Sequence, residues 1–419
     1  MKKGKMKRRT VIASSLVLIA MGLSAFTKKR EEMKGTTSQN SYGITKAHIA
    51  AALEKHIQTN TYPTSVEVAK DGKSYTFEPT YTLESPVQVK MQKMLEQYRP
   101  DYAAFVAIDA RTGRILAASS FTRESSQFGN ILMRATFPAA SVFKVVTAAA
   151  AIDQKIVEPS TIVPYNGGNH TLYRRNVLKN DENRWTRRIS LKEAFAKSIN
   201  SVFGKVGIFF LKPDHLEDYA NRFQFNRVIP IDLPVQPGSF VLEREDNWKI
   251  AEAASGYNRV ALMSPIQGAL IAASIVNDGT MMEPYVVESL AEKTHGVVYK
   301  AEPSVLTQAV SAIAAEKLRS MMTETVKMGT SAKTFRGFNK RRKLVEVEVG
   351  GKTGHLTGNY PKGQYDWFVG YGRSEDERIA VAALTINQEN WRVKSGYLAR
   401  VFFETYFQKP PLEAKLLNK

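Results

Sequence analysis

The 419-residue chain contains no cysteine. That absence removes disulfides, thiolate metal sites and cysteine nucleophiles together. Histidine is sparse as well: His48, His56, His170, His215, His295 and His355 are scattered, with no H-E-x-x-H pair to hold zinc. No G-x-S-x-G turn is present to expose a hydrolase serine. Neither a metal nor any other cofactor is therefore expected. Acidic residues are outnumbered, 40 against 59 Lys and Arg, which leaves a formal charge of +19. What is there is an apolar fraction of 43%, enough for the core of one large domain and a smaller one.

Residues 10–27, TVIASSLVLIAMGLSAFT, form one uncharged apolar run of about 18 residues, near the lower limit for spanning a bilayer. Lys2, Lys3, Lys5, Lys7, Arg8 and Arg9 precede it, whereas Lys28, Lys29 and Arg30 after it are diluted by Glu31 and Glu32. This asymmetry orients residues 1–9 toward the cytoplasm and makes 10–27 a single-pass signal anchor in the plasma (inner) membrane, with the rest in the periplasm or outside. A cleavable signal peptide competes, since Gly22 and Ser24 are small, although the basic cluster just beyond disfavours it. Export excludes nucleic acid as the partner of the positive charge. Lipid headgroups and cell-wall polymers remain, as does a merely soluble basic surface.

Residues 28–84 read as linker followed by a small pedestal: 36–42 is polar, 47–57 has helical spacing, and 66–77 reads as two strands around Asp71-Gly72. About 40 residues are too few for an independent enzyme domain. A second domain starts near residue 85 with an amphipathic helix over 87–98 and strands over 103–108 and 115–119. The basic stretch 165–188, with Arg174, Arg175, Arg187 and Arg188, suits either an insertion near a substrate groove or a solvated loop.

Three short stretches carry chemistry. In residues 138–155, PAASVFKVVTAAAAIDQK, only Ser141, Lys144 and Thr147 interrupt the apolar run from 141 to 152. The pattern predicts a helix opened by Ser141 and buried on all sides, in which a lysine is out of place. Burial lowers a lysine's pKa, and residues three apart share a face, so Lys144 is a candidate base for the Ser141 hydroxyl. Ser190-Leu191-Lys192-Glu193 is a capping box predicting a helix that carries the chain to Ser198-Ile199-Asn200. In residues 345–354, VEVEVGGKTG, alternating valines predict a strand with Lys352 on the face of the glutamates and glycines on both sides of it. Strands over 367–371 and 379–386 and a helix over 396–407 complete an antiparallel meander with a helix laid on it.

Ser141-x-x-Lys144, Ser198-x-Asn200 and Lys352-Thr353-Gly354, in that order, match the three motifs of the penicillin-binding protein and serine β-lactamase superfamily. FPAASVFKVVTAAAAI, ISLKEAFAKSINSVFGKVG, ALMSPIQGALIAASIVNDGTMMEPYVV and GGKTGHLTG also resemble the transpeptidase domain of penicillin-binding proteins, over residues 85–407, leaving 408–419 as a tail. The resemblance implies an α+β fold: a five-stranded antiparallel sheet flanked by helices, plus a mostly helical subdomain. It implies a peptidoglycan D,D-transpeptidase that cross-links D-alanyl-D-alanine stem peptides through a serine acyl-enzyme and is inhibited by β-lactam antibiotics. Ser141 would be the nucleophile and Lys144 its base. Ser198 would relay a proton to the leaving amine, Asn200 would hold the acyl-side amide, and Lys352 would set the electrostatics and help bind the terminal carboxylate. The backbone N–H groups of Ser141 and His355 would form the oxyanion hole.

The family usually has Thr or Ser where this chain has His355, so recognition of the substrate carboxylate is expected to pass to Thr353, Thr357 or a protonated His355. A surface histidine in a strand-end turn is the plain alternative. The 154 positions from Ser198 to Lys352 exceed the interval of compact β-lactamases and favour a penicillin-binding protein. Glu217-x-x-x-Asn221 imitates a deacylation motif, but Leu216, Tyr219, Ala220 and Phe223 are the buried stripe of that helix and turn Glu217 elsewhere. The roughly 60 residues between the apolar run and residue 87 cannot hold a glycosyltransferase domain, so a separate glycosyltransferase is the expected partner. D,D-carboxypeptidase or β-lactamase-like hydrolysis, and a catalytically weak penicillin-binding scaffold or sensor, stay open as alternative functions.

Overall fold

The computed structural model describes residue 40, residues 42–123 and residues 128–408. The apolar run 10–27 and the tail after residue 408 lie outside the described residues. No helix among the described residues is long and apolar enough to cross a membrane.

The described chain starts with helix α1 (Lys46–Gln58) and a hairpin of β1 (Val66–Lys70) and β2 (Lys73–Tyr81). Asp71 and Gly72 both take positive φ in its turn, the geometry that matches the twist of the paired strands and that Asp-Gly accepts readily. Helix α2 (Ser85–Tyr98) leads into β3 (Tyr102–Asp109) and β4 (Ile115–Thr122). The helical part then contributes α3 (Lys144–Asp153), α4 (Leu191–Ala196), α5 (Asn200–Lys205), α6 (Pro213–Arg222), α7 (Asn247–Ser255) and α8 (Pro265–Val276). Strands β5 (Val287–Glu292) and β6 (Gly296–Lys300), helix α9 (Ala312–Lys327), strands β7 (Glu348–Asn359), β8 (Lys362–Arg373) and β9 (Arg378–Asn387), and helix α10 (Ser395–Phe407) complete it.

The central sheet has the order β7-β8-β9-β3-β4, antiparallel throughout. Strand β3, YAAFVAID, is buried on both faces, which is why it reads as a continuous apolar run and not as an alternation. Ala103, Phe105 and Ala107 pack with α2 and α10, whereas Ala104, Val106 and Ile108 join the larger core that contains α3 and α8. All twelve residues of α8 are buried, and Ile266, Leu270, Ile271 and Ile275 there each contribute about 2 kcal/mol by leaving water. Gly268 brings α8 close to the sheet: a Cβ there would meet Val369 Cγ2 at 3.2 Å and Ala382 Cβ at 3.3 Å.

Several expectations change. The segment expected as a separate pedestal shares both a sheet and a core with the rest: β2 pairs with β5 in a second sheet of order β1-β2-β5-β6, and Ile49, Leu53, Val66 and Phe77 belong to the main core. The strand expected over 345–354 begins only at Glu348 and runs to Asn359. Val345 is exposed and Val347 buried on a turn before the strand, so their alternation reflects that turn and not a pleat. The helix opened by Leu191 stops at Ala196, with Ser190 capping it through the Glu193 N–H. The basic stretch 165–188 is not all loop, because residues Ile162–Tyr165 and Arg187–Ser190 pair as a small ribbon that closes it.

Candidate active site

Ser141 does not open the α-helix itself. It lies in a 3₁₀ turn, Ala140–Phe143, that becomes α3 at Lys144. Residues three apart eclipse in a 3₁₀ turn, which stacks the two side chains and leaves Lys144 Nζ 2.8 Å from Ser141 Oγ. Ala140 takes φ +48°, a left-handed conformation that costs an L-residue about 1–2 kcal/mol and persists only where the surroundings hold it. Two glycines supply the close packing. A Cβ on Gly256 would stand 1.9 Å from Ala140 O, and one on Gly354 of β7 would stand 3.1 Å from Ala139 O.

Lys144 is fully buried without a carboxylate partner among its hydrogen bonds. Its amine donates to Asn200 Oδ1 at 2.7 Å and to Ser255 O at 2.6 Å. Burial, reinforced by the positive charge of Lys352, holds its pKa well below the usual lysine range. A neutral amine has two N–H bonds and one lone pair. Asn200 Oδ1 and Ser255 O carry no proton and must take the two N–H groups, so the lone pair is left facing the Ser141 hydroxyl, which has a proton to give.

Between α4 and α5 the chain turns through Ser198, another non-glycine residue at φ +56°. Ser198 is nearly buried and accepts a 2.9 Å hydrogen bond from Lys352 Nζ, which also donates to Thr353 O at 2.9 Å. Lys352 is buried completely, and that burial brings its pKa down to about 7. Asn200, at the start of α5, donates from Nδ2 to His170 O at 2.8 Å while its Oδ1 accepts from Lys144, leaving one amide N–H available. Thr353 Oγ1 shares a 2.6 Å hydrogen bond with Thr330 Oγ1.

Ser141, Ser198, Asn200, Thr353 and His355 thus line one cleft of about 420 Å3, with Lys144 and Lys352 buried beneath it. Gly354 serves as a spacer and not as a contact. Thr357 is not brought to this cleft: it is exposed on β7 two residues beyond His355, and its carbonyl accepts from Arg259. His355 is not in a strand-end turn but within β7, opposite Asp366, and its Nε2 is held by Asp366 Oδ1. Asp366 is itself fixed by the N–H and hydroxyl of Ser395. Glu217 bonds to Arg244 and stands outside the cleft. Sequence reasoning passed over His170, Gly256, Tyr257 and Thr330, which also line it, and Ser255, which acts through its carbonyl. Only Gly256 carried a local signal, as a glycine just past the end of a helix. No group of three His, Cys, Asp or Glu side chains placed to hold a metal occurs among the described residues.

Two buried lysines of lowered pKa, each against a serine hydroxyl in one cleft, form a site for nucleophilic acyl transfer. The family model of the penicillin binding protein transpeptidase domain matches residues 103–406. The chain belongs to this family. Its sequence is 28% identical over 263 residues to the peptidoglycan D,D-transpeptidase PbpA of Mycolicibacterium smegmatis, covering 59% of this chain and 50% of that protein. The chain therefore spans about half the length of that relative, and 63% of the PbpA of Mycobacterium tuberculosis. Among solved structures, the D,D-transpeptidase domain of a peptidoglycan glycosyltransferase from Eggerthella lenta superposes with a TM-score of 0.65 at 22% identity, covering 84% of this chain and 96% of that one. The penicillin G acyl-enzyme complex of penicillin-binding protein A from Mycobacterium tuberculosis gives 0.62 at 23% identity, with coverage of 79% and 81%. At these identities the two structural likenesses bear on the fold.

Proposed function

We propose that this protein is a peptidoglycan D,D-transpeptidase working through an acyl-enzyme on Ser141. The observation that carries the reading is the 2.8 Å contact of the buried Lys144 amine with Ser141 Oγ, with Lys352 against Ser198 in the same cleft. Membership of the transpeptidase family and likeness to a protein trapped as its penicillin G acyl-enzyme support it.

In this reading Lys144 takes the Ser141 proton as Oγ bonds to the carbonyl carbon of the penultimate D-alanine. The backbone N–H groups of Ser141 and His355 stabilise the oxyanion, a task indifferent to the His355 side chain. The C–N bond breaks, and the leaving D-alanine nitrogen takes the Ser198 proton, which Lys352 replaces. A lysine with a pKa of about 7 can give that proton and take one back at neutral pH. When the amine of a second stem peptide attacks the ester, the transfers reverse: Ser198 and Lys352 receive the amine's proton, and Lys144 returns one to Ser141. The free Asn200 N–H holds the acyl-side amide. With Nε2 occupied by Asp366, His355 meets the substrate carboxylate through Nδ1, beside Thr353. The apolar run 10–27 anchors the protein with its catalytic part outside the membrane, and a separate glycosyltransferase supplies the glycan strands.

Labelled penicillin should acylate Ser141, read as one adduct by intact-mass measurement and located by peptide mapping. Folded wild type without label, or label on Ser141→Ala, refutes the reading.

A further inference from the structure

Of the three residues that interrupt the apolar run 141–152, the acyl-transfer reading uses Ser141 and Lys144 and leaves Thr147 without a task. Thr147 is fully buried, where a hydroxyl costs free energy unless it is hydrogen-bonded. Its oxygen lies 3.4 Å from Phe143 O one turn back and 2.7 Å from Ala254 O on α7, so its single proton goes across to α7.

The last four carbonyls of an α-helix have no partner within it, and α7 meets that need in two ways. Glu252 O and Ala253 O accept from the backbone N–H groups of Tyr257 and Gly256, at 2.8 and 2.9 Å, with Gly256 at φ +66°. Ala254 O and Ser255 O are served from α3, where Thr147 and Lys144 donate to them at 2.7 and 2.6 Å. Residues three apart share a helix face, so these two side chains cap one helix end side by side, against carbonyls of two fully buried residues. A second element packs as closely on the same turn: a Cβ on Gly207 would stand 2.4 Å from Ala254 Cβ.

We propose that Thr147 is a positioning residue: by capping Ala254 O it holds the end of α7 so that Ser255 O takes one N–H of Lys144 and the amine stays turned to Ser141 Oγ. This rests on the acyl-enzyme reading of the site. Without the hydroxyl, Ala254 O becomes a buried acceptor whose donor is gone, and the last turn of α7 shifts to find another. The uncompensated carbonyl also adds to the negative end of the helix, which favours ammonium over amine at Lys144. Both effects fall on the base and neither on the ligand, since Thr147 is not among the residues that line the cleft. The titratable groups that act on the charge of Lys144 are Lys352 of β7 and His170, and both are the same in every variant compared.

The test is stopped-flow acylation of the full chain by a fluorescent penicillin between about pH 6 and 9, which separates the acylation rate constant from the binding constant. Wild type is compared with Thr147→Val, which keeps the shape and removes the donor, and with Thr147→Ser, which keeps the donor. Expected for Val is a fall of about 10-fold in the rate constant at neutral pH, an acid limb moved up by about half a pH unit or more, and a binding constant within about threefold of wild type. Ser should stay within about threefold of wild type with its acid limb unmoved. A Val variant within about twofold of wild type overturns the proposal, as does a slower one whose acid limb is unmoved or lower, a loss carried by binding, or a Ser variant as slow as Val. If Val does not fold, Thr147→Ala, in a helix that continues with Ala148, Ala149, Ala150 and Ala151, is set against Ser by the same criteria. Wild type that takes no label refutes the acyl-enzyme reading instead, an outcome seen before any variant is compared.

Discussion

Lys352 sets catalytic need against stability, and the conflict can be measured. A fully buried lysine with a pKa of about 7 binds its proton more weakly in the folded protein than in the unfolded chain, where it titrates near its ordinary 10.5. Between these values the unfolded state holds one proton more, so stability rises with pH by about 1.4 kcal/mol per unit. The penalty for the charged, buried amine is fully present below pH 7; it amounts to about 4 kcal/mol at pH 7 and about 2 kcal/mol at pH 9. Lys352→Met removes the titration together with the hydrogen bonds to Ser198 and Thr353, each worth about 1 kcal/mol. The variant should therefore be about 2 kcal/mol more stable at pH 7 and equal to wild type by pH 9, while losing acylation. Denaturant unfolding at pH 7, 8 and 9 reads this directly. His170, lowered by burial, acts below that window, and the tyrosines raised by burial act above it. Removing Lys352 also relieves Lys144 of a positive neighbour, which favours the variant further at low pH, so the change of the difference with pH keeps its sign. A difference that does not change with pH, or a variant less stable at pH 7, refutes the reasoning.

Three further outcomes follow from the geometry. Gly256→Ala sets a Cβ 1.9 Å from Ala140 O at a φ of +66°, so it should cost about 3 kcal/mol or more and displace the Ser141 turn; a melting temperature and acylation rate equal to wild type would contradict the packing. His355→Thr leaves the backbone donor in place and restores the family's usual hydroxyl, so turnover of a D-alanyl-D-alanine ester should be retained or raised; loss of turnover would show that the imidazole is indispensable. Asn200→Asp presents an anion to Lys144 Nζ at the 2.7 Å contact and raises the amine's pKa, so the acid limb of acylation should move to higher pH; an unmoved limb would count against Lys144 as the base.

The chemistry of the site was legible in the sequence to the extent that it resides in side chains of the wrong polarity. Lys144 stands out because an ammonium has no place in an all-apolar helix, and the structure leaves it without a carboxylate. Ser198 and Asn200 gave almost nothing alone, since the positive φ that presents Ser198 leaves no mark on residue type. Ser255 contributes a carbonyl that every residue has, and the His170 carbonyl reaches Asn200 by a fold of the chain that no local pattern encodes. The strands of the meander were readable because β7, β8 and β9 follow one another, whereas the pairing of Tyr81 with Val287 joins segments 206 positions apart and had no local signal. Val345 and Val347 misled because a turn can imitate a strand's period for one step.

The order of the central sheet has a consequence for how the protein is made. Strand β9, complete only at Asn387, lies between β8 and β3, so the strand that emerges among the last joins two halves that emerge some 250 residues apart. Until it arrives, β3 offers an open edge to any passing chain, and Ser141 and Ser198 have no β7 wall opposite them. Synthesis from the N-terminus thus leaves an apolar strand edge open for about two thirds of its duration, a burden that falls on whatever holdase meets the growing chain. A polypeptide ended before β9 is not a shortened enzyme but two unjoined half-sheets, and a fragment that labels with penicillin must carry the chain through Asn387.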